Sequence, residues 1–467
     1  MEGYHVENFG CRASRSDGEA IAAGLRRRGL SSASDLSSAR IVVVNTCSVT
    51  AEADREARAF IRRVHRKNPQ AKIIVTGCYA QRAPHEVAAL KGVSVVIGNS
   101  HKSLVVPESS APSDFVPLAR LTHTVPILHD PEFAHAELSV LPFAEDSQQT
   151  RPNLKVQDGC ANRCSFCIIP ETRGPSRSLP LAECLAAVHR FVQAGGQELV
   201  LSGINLGRWG RDLSPQQRFV DLVAAVLEQT PLPRLRLSSI EPMDWTPELL
   251  AIYAQYAPTG RLARHAHLPL QSGSDTMLRR MHRRYRPWHY AEKLARIHSL
   301  MPDAGIGADV MIGFPGETDT LFQESYDFIA AQPFTYLHLF PFSARPGTPA
   351  AALHSECPVP AAAVEERMSA LRRLIAEKTL AFRRSQLGQT LSVVTLEARG
   401  HTTTPALSDN FVRVEIHAPL PANQMVNIQV TELSEDGLRA GSSPISSRPS
   451  FLPAPRGGPI LQSPQSV

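Results

Sequence analysis

The 467-residue chain has no apolar run approaching the roughly eighteen residues of a membrane span. Its opening MEGYHVENFGCR also lacks the apolar core of a signal peptide. The cytoplasm, and no membrane partner, is therefore the expectation. Charge bias is absent too: 49 Lys+Arg against 44 Asp+Glu leave +5, which by itself implies no polyanionic partner. Cysteine is scarce, with eight in the whole chain, and in a reducing compartment those few read as metal or redox ligands rather than disulfides. What is present is ordinary for a folded protein: 43% hydrophobic and 20% charged residues exclude a disordered chain. The length calls for about two to three domains.

Three of the eight cysteines fall within eight residues, as Cys160, Cys164 and Cys167 in NLKVQDGCANRCSFC. No fourth Cys or His follows nearby, which argues against a structural zinc site with its usual four ligands. Three thiolates on a four-iron cluster leave one iron without a protein ligand, open to a cofactor. Phe166 stands where it would shield that face from water. The competing reading is three small buried hydrophobes, which the tight spacing in a cysteine-poor chain disfavours.

Upstream, short apolar runs alternate with amphipathic stretches. Tyr4–Phe9, Ile41–Asn45, Lys72–Thr76 and Val93–Ile97 read as strands. Asp17–Arg28, Ala51–Lys67 and Pro84–Leu90 read as helices, with Ser16 and Thr50 as N-caps. That order predicts a doubly wound parallel sheet. Cys11, Cys47 and Cys78 each follow one of its first three strands, and the carboxyl ends of parallel strands share one edge. Topology alone thus predicts a second three-cysteine site. Residues 99–150 read as a connector with some strand at Phe115–Leu118 and Val125–Leu128. Its four histidines, His101, His123, His129 and His135, match no common metal spacing.

From Asn153 the pattern becomes strand–helix units. Strands are expected at Leu154–Gln157, Glu198–Ser202, Arg234–Ser238, His265–Leu270, Ile306–Ile312 and Thr335–Phe340. Six such units suit an open parallel barrel with its chemistry at the carboxyl ends of the strands, where the cysteine triplet falls. Glycines and polar residues at the other strand ends suit close contact with a nucleoside cofactor. Among them are Gly203, Asn205, Glu241 and Gly313. Cys184 and Cys357 read as non-ligands. Ala361–Arg384 reads as an amphipathic helix, followed by short strands at Leu391–Leu396, Phe411–Glu415, Met425–Val430 and Gly437–Ala440. These predict a small β-barrel, and the Pro/Ser-rich residues after Ser442 a disordered tail.

The string from Gly159 to Pro170, GCANRCSFCIIP, followed by Arg173-Gly174, resembles the cluster motif of radical S-adenosylmethionine methylthiotransferases. FGCRASRSDGEAI, VVVNTCSVT and VTGCYAQR resemble that family's amino-terminal cluster domain. The likeness runs from about Tyr4 to Gly441. It implies an α/β protein with an amino-terminal cluster domain (1–125), a radical S-adenosylmethionine domain (146–376) and a carboxyl-terminal RNA-binding β-barrel (386–442). It also implies two [4Fe-4S] clusters, on Cys160, Cys164 and Cys167 and on Cys11, Cys47 and Cys78. S-adenosylmethionine would lie near Phe166, Gly203, Asn205, Glu241 and Gly313. The implied partners are a tRNA anticodon loop and a reducing protein of the flavodoxin or ferredoxin type. VTGCYAQRAP, RLSSIEP and FSARPGTPAA are most similar to the branch acting on N6-threonylcarbamoyladenosine at tRNA position 37. The branches acting on isopentenyladenosine or on a ribosomal protein aspartate are the alternatives. A non-catalytic iron–sulfur protein is a further one.

Two expectations concern cations. Arg279, Arg280, Arg283 and Arg284, after the fourth barrel strand, are candidates for tRNA phosphates, although such clusters are commonly solvated faces. Arg173 and Arg345, at the barrel mouth, are candidates for pairing the carboxylate of threonylcarbamoyladenosine. The β-barrel segment Leu387–Gly441 carries Arg399, Arg413 and Arg439 against six acidic residues, a poor balance for an RNA surface.

Overall fold

Val42 and Val44 point to one side of their strand and Val43 to the other, and all three are fully buried. A strand apolar on both faces belongs in the middle of a sheet covered on both sides. A computed structural model, which describes residues 3–106, 124–133, 150–398 and 402–441, has it there. The sheet runs Ser31–Ser32, Gly3–Asn8, Ala39–Thr46, Lys72–Gly77, Val93–Gly98, Ile127–Leu128, all parallel. Helix Ala51–Lys67 packs with Val42 and Val44, whereas helix Arg12–Arg27 packs with Val43. Thr50 caps the former, accepting from the Ala53 N–H at 3.2 Å.

The first helix corrects one expectation. It starts at Arg12 with Cys11 at the N-cap position, so Ser16 is not a cap. Ser16 instead donates to the Asn153 carbonyl at 3.2 Å. The added turn lacks an apolar period because its inward Ser14, like Asp17 one turn on, is buried in a polar contact with the central domain. Ile127–Leu128 adds an edge strand from the connector. Phe115–Leu118 and the tail after 442 lie outside the described residues.

The central strands are Asn153–Asp158, Glu198–Gly203, Arg234–Leu237, His265–His267, Gly305–Ile312 and Tyr336–Pro341. They neighbour one another in chain order, with a Ser239–His267 bridge joining the third to the fourth. Leu199, Leu201, Leu235, Leu237, Ile306 and Ala308 share one core with the surrounding helices, including Val188 and Phe191. The alternate residues, among them Glu198, Arg234, Arg236 and Asp309, fill the other face with charge. A short antiparallel strand, Arg177–Ser178, borders the first.

Helix Ala361–Ser385 ties the remaining parts together. Its Val364, Met368, Leu371 and Ile375 pack on the central core, and Phe382 packs on the last domain. That domain is a closed five-stranded barrel. It includes Thr404–Ser408, a strand that sequence reading passes over because Pro405 demotes it. Its Ser392 and Ser408–Phe411 segment closes the amino end of the central barrel. Arg234 donates to Ser392 Oγ at 2.6 Å, Arg236 to the Ser408 carbonyl at 2.9 Å, and Arg264 to Asp409 at 2.6 Å. Both Arg234 and Arg236 are fully buried around Glu198. This contact face lies at the end opposite the cysteines.

Candidate functional site

Strand topology brings the amino-terminal cysteines to one edge. Cys47 and Cys78 directly follow neighbouring strands, and Cys11 lies just beyond the next one. Gly10 has φ of 101°, and a side chain there would put Cβ 2.6 Å from Cys47 Sγ. Only glycine permits that approach. Each sulfur has a polar neighbour: Ser14 Oγ is 3.8 Å from Cys11 Sγ. The Val49 N–H donates to Cys47 at 3.5 Å, and Asn99 Nδ2 to Cys78 at 3.4 Å. Burial, followed by the nearby Cys78, pushes the Cys47 thiol up to about 12. Thiols so placed ionise only against a cation, and a metal is the obvious one.

The central triplet sits in the loop after the first barrel strand. Cys160 accepts from the Asn162 N–H at 3.4 Å and from Asn205 Nδ2 at 3.5 Å. Arg283 Nη1 donates to Cys164 at 3.2 Å, and its Nη2 is ion-paired with Glu241. Burial pushes the Cys167 thiol up to about 12. Partly exposed cysteines, with Asn205 directed at Cys160 and Arg283 at Cys164, fit an anionic cluster that needs charge-assisted N–H···S bonds and one open side.

The two edges face each other. Asn99, which donates to Cys78, also donates to the Thr172 carbonyl at 2.7 Å, five residues beyond Cys167. Beside it, Arg173 is 1% exposed and pairs with Asp158 at 2.9 Å and Asp17 at 3.3 Å. Lys155 joins both carboxylates, and Lys102 joins Asp17 at 2.6 Å. Burial opposes ionisation of Asp17 and Asp158, but these cations outweigh it and hold both carboxyls well below the usual range. Three cations against two carboxylates leave one positive charge in excess, next to Cys11 and Cys78. On the other side of the mouth, Arg345 is 4% exposed and donates to Asp54 at 2.8 Å.

Several expected roles change accordingly. Arg173 and Arg345 are not available to a substrate carboxylate, because both are consumed in ion pairs between the amino-terminal sheet and the barrel. Arg283 is not a phosphate contact, since it is buried between Glu241 and Cys164. Arg279, Arg280 and Arg284 remain exposed, with Arg279 on Asp275 and Arg280 on the Gly316 carbonyl. Asn205 bonds Cys160 and Glu241 reaches the central triplet through Arg283, and a Cβ on Gly203 would lie 3.0 Å from Gln157 Oε1. Phe166 meets the Phe314 ring edge-on at 6.5 Å. Gly313 serves packing: a Cβ there would lie 2.5 Å from Val364. Cys184 is buried in the helical core and Cys357 bonds the Leu353 carbonyl. Asp17, Asn99 and Asp158 were missed, because only the fold brings them to the cysteines.

A cluster triplet on the first loop of an open six-stranded barrel defines a radical S-adenosylmethionine enzyme. Residues 154–329 match the Radical SAM superfamily, and residues 3–98 match Uncharacterized protein family UPF0004. The Threonylcarbamoyladenosine tRNA methylthiotransferase MtaB of Bacillus subtilis is 35% identical over 74% of this chain and 75% of its own. That of Aquifex aeolicus is 32% identical over 91% and 99%. A tRNA-2-methylthio-N(6)-dimethylallyladenosine synthase of Novosphingobium aromaticivorans is 34% identical over 85% and 87%. The chain belongs to the methylthiotransferase family. For the fold alone, the radical S-adenosylmethionine methyltransferase TsrM of Kitasatospora setae aligns with TM-score 0.54 at 16% identity, over 76% of this chain and 78% of that one. No helix among the described residues is long and apolar enough to cross a membrane.

Proposed function

We propose that this enzyme converts N6-threonylcarbamoyladenosine at tRNA position 37 to its 2-methylthio derivative. The reading is carried by the two thiolate triplets on facing rims, and the names of relatives in the same family support the substrate. Cys160, Cys164 and Cys167 hold one [4Fe-4S] cluster and Cys11, Cys47 and Cys78 the other. When bound, the first supplies an electron for reductive cleavage of S-adenosylmethionine, the chemistry an inert adenine C–H bond requires. The chain's part is positional. Arg283 fixes the Glu241 carboxylate while donating to Cys164, and Asn205 donates to Cys160. Phe166 and Gly203 bound the same rim, and Gly313 contributes main chain at the end of the fifth strand. The electron comes from a flavodoxin- or ferredoxin-type protein.

Threonylcarbamoyladenosine carries a carboxylate, whose burial without a partner is costly. With Arg173 and Arg345 occupied, Arg163 and Arg284, which line a cleft with Cys164 and Glu241, are suited to it, whereas Arg208 in the same cleft is paired with Asp244 at 3.2 Å. Nucleoside mass spectrometry of tRNA from a strain lacking the gene, then complemented, checks the assignment. Return of the methylthio group on threonylcarbamoyladenosine is expected. Its return only on isopentenyladenosine, or on a ribosomal protein, refutes it.

The exposed Arg279 and Arg280, which do not line that cleft, are suited to tRNA phosphates. Reversing both to Glu is expected to weaken tRNA binding and to flatten the slope of log affinity against log salt by about two. Unchanged affinity and slope would instead mark a solvated face.

A further inference from the structure

Below the cysteine rim, the last three barrel strands carry a polar group that the cluster chemistry does not use. His267 ends the fourth strand, and Asp309 and His338 are register partners on the fifth and sixth. His267 Nε2 lies 3.2 Å from one Asp309 oxygen, and His338 Nδ1 lies 3.1 Å from the other. One donor atom from each of the three falls within 4.8 Å of the others. Donors about 3 Å apart are what surround an ion bound at roughly 2.0–2.2 Å.

The supporting contacts point the same way. Tyr336 OH is 3.0 Å from His267 Nδ1, which leaves Nε2 as the nitrogen facing Asp309. Metal-ligating imidazoles are oriented by such a bond on the other ring nitrogen. Tyr336 is itself held by His265 Nε2 at 2.7 Å. Its ring occupies the space that Gly307 leaves free, since a Cβ there would lie 2.0 Å from Tyr336 Cζ. The His267 side chain is 8% exposed and that of His338 is 57% exposed, so the group is anchored on one side and open on the other.

We infer that His267, Asp309 and His338 bind one divalent transition-metal ion of the zinc class, separate from both cysteine sites. Two imidazoles and a carboxylate suit such an ion, and three protein ligands leave a position for water or another oxygen donor. The inference does not depend on which nucleoside the enzyme modifies.

The test uses the full chain with both clusters loaded, so that iron occupies the thiolates. Protein is incubated with zinc and freed of unbound metal, and zinc and iron are measured in the same sample. About one zinc per chain is expected to remain with iron unchanged. His338→Ala, at a side chain more than half exposed, and Asp309→Asn should each weaken zinc binding at least about tenfold, with iron retained. Tyr336→Phe should weaken it by about tenfold to a hundredfold through His267 alone. Absence of retained zinc in the unmodified chain overturns the inference. So does zinc that persists undiminished in both ligand variants.

Discussion

Anaerobically reconstituted enzyme is expected to carry about eight irons per chain, and alanine at Cys160, Cys164 and Cys167 together should leave about half of them. The same variant should lose S-adenosylmethionine cleavage entirely, because the cluster that binds and reduces S-adenosylmethionine is the one assigned to that triplet. Alanine at Cys11, Cys47 and Cys78 should also leave about half the iron, yet keep cleavage while losing sulfur insertion. Independence of the two losses follows from the packing. The amino-terminal cysteines stand on a sheet with its own two cores, and the central three on a barrel with another. Removing one set of ligands does not dismantle the scaffold of the other. The contacts that span them, Asn99 to Thr172 and Arg173 to Asp17, use no cysteine side chain for their crossing bond. Full iron in the amino-terminal triple variant would sink the second site, and intact cleavage in the central triple variant would sink the assignment of the first.

How much of this was legible beforehand depends on whether a feature is local. The six cysteines of the two triplets were placed correctly in loops after strands, because apolar runs and their punctuation report strand order, and parallel order fixes where the ends gather. The Thr50 cap and the helix it starts are equally local. Ion pairs between domains leave no such trace. Nothing in the sequence near Arg345 points to Asp54, 291 positions away, so an arginine at the barrel mouth looks free to bind substrate until the fold shows its partner. Arg234 and Arg236 mislead in the same manner. Their RLRL alternation marks a strand but not the partners of its arginines, which are fully buried on Glu198 beneath the carboxyl-terminal barrel. Arg283 has the opposite history, since a run of arginines on the surface hides one member that turns inward to Cys164.

The Arg173 contact carries the other large expected effect. Its guanidinium is 1% exposed and bonds both Asp158 oxygens, at 2.9 and 3.0 Å, and Ser14 Oγ at 3.1 Å. Arg173→Met keeps most of the apolar stem but strands buried carboxylates on Asp158 and Asp17. Removing one partner of a buried pair costs about 3–5 kcal/mol, since the remaining charge stays desolvated. Lys155 and Lys102 still contact those carboxylates, so the lower end of that range is expected. The loss should fall on the joint between sheet and barrel rather than on either core. Two measurements separate these. Trp209 and Trp245 are buried in the barrel core, so their fluorescence in urea reports the barrel. Iron retained by the amino-terminal site, measured in the Arg173→Met chain that also lacks Cys160, Cys164 and Cys167, reports the sheet edge. The excess positive charge beside Cys11 and Cys78 disappears with Arg173, so that iron should be held more weakly and reduced at a lower potential, as an anionic cluster loses its nearest cation. Arg173→Lys should restore part of both, because it returns the charge without the planar fork. A Met variant with unchanged amino-terminal iron and potential would mean that Arg173 only braces its own loop.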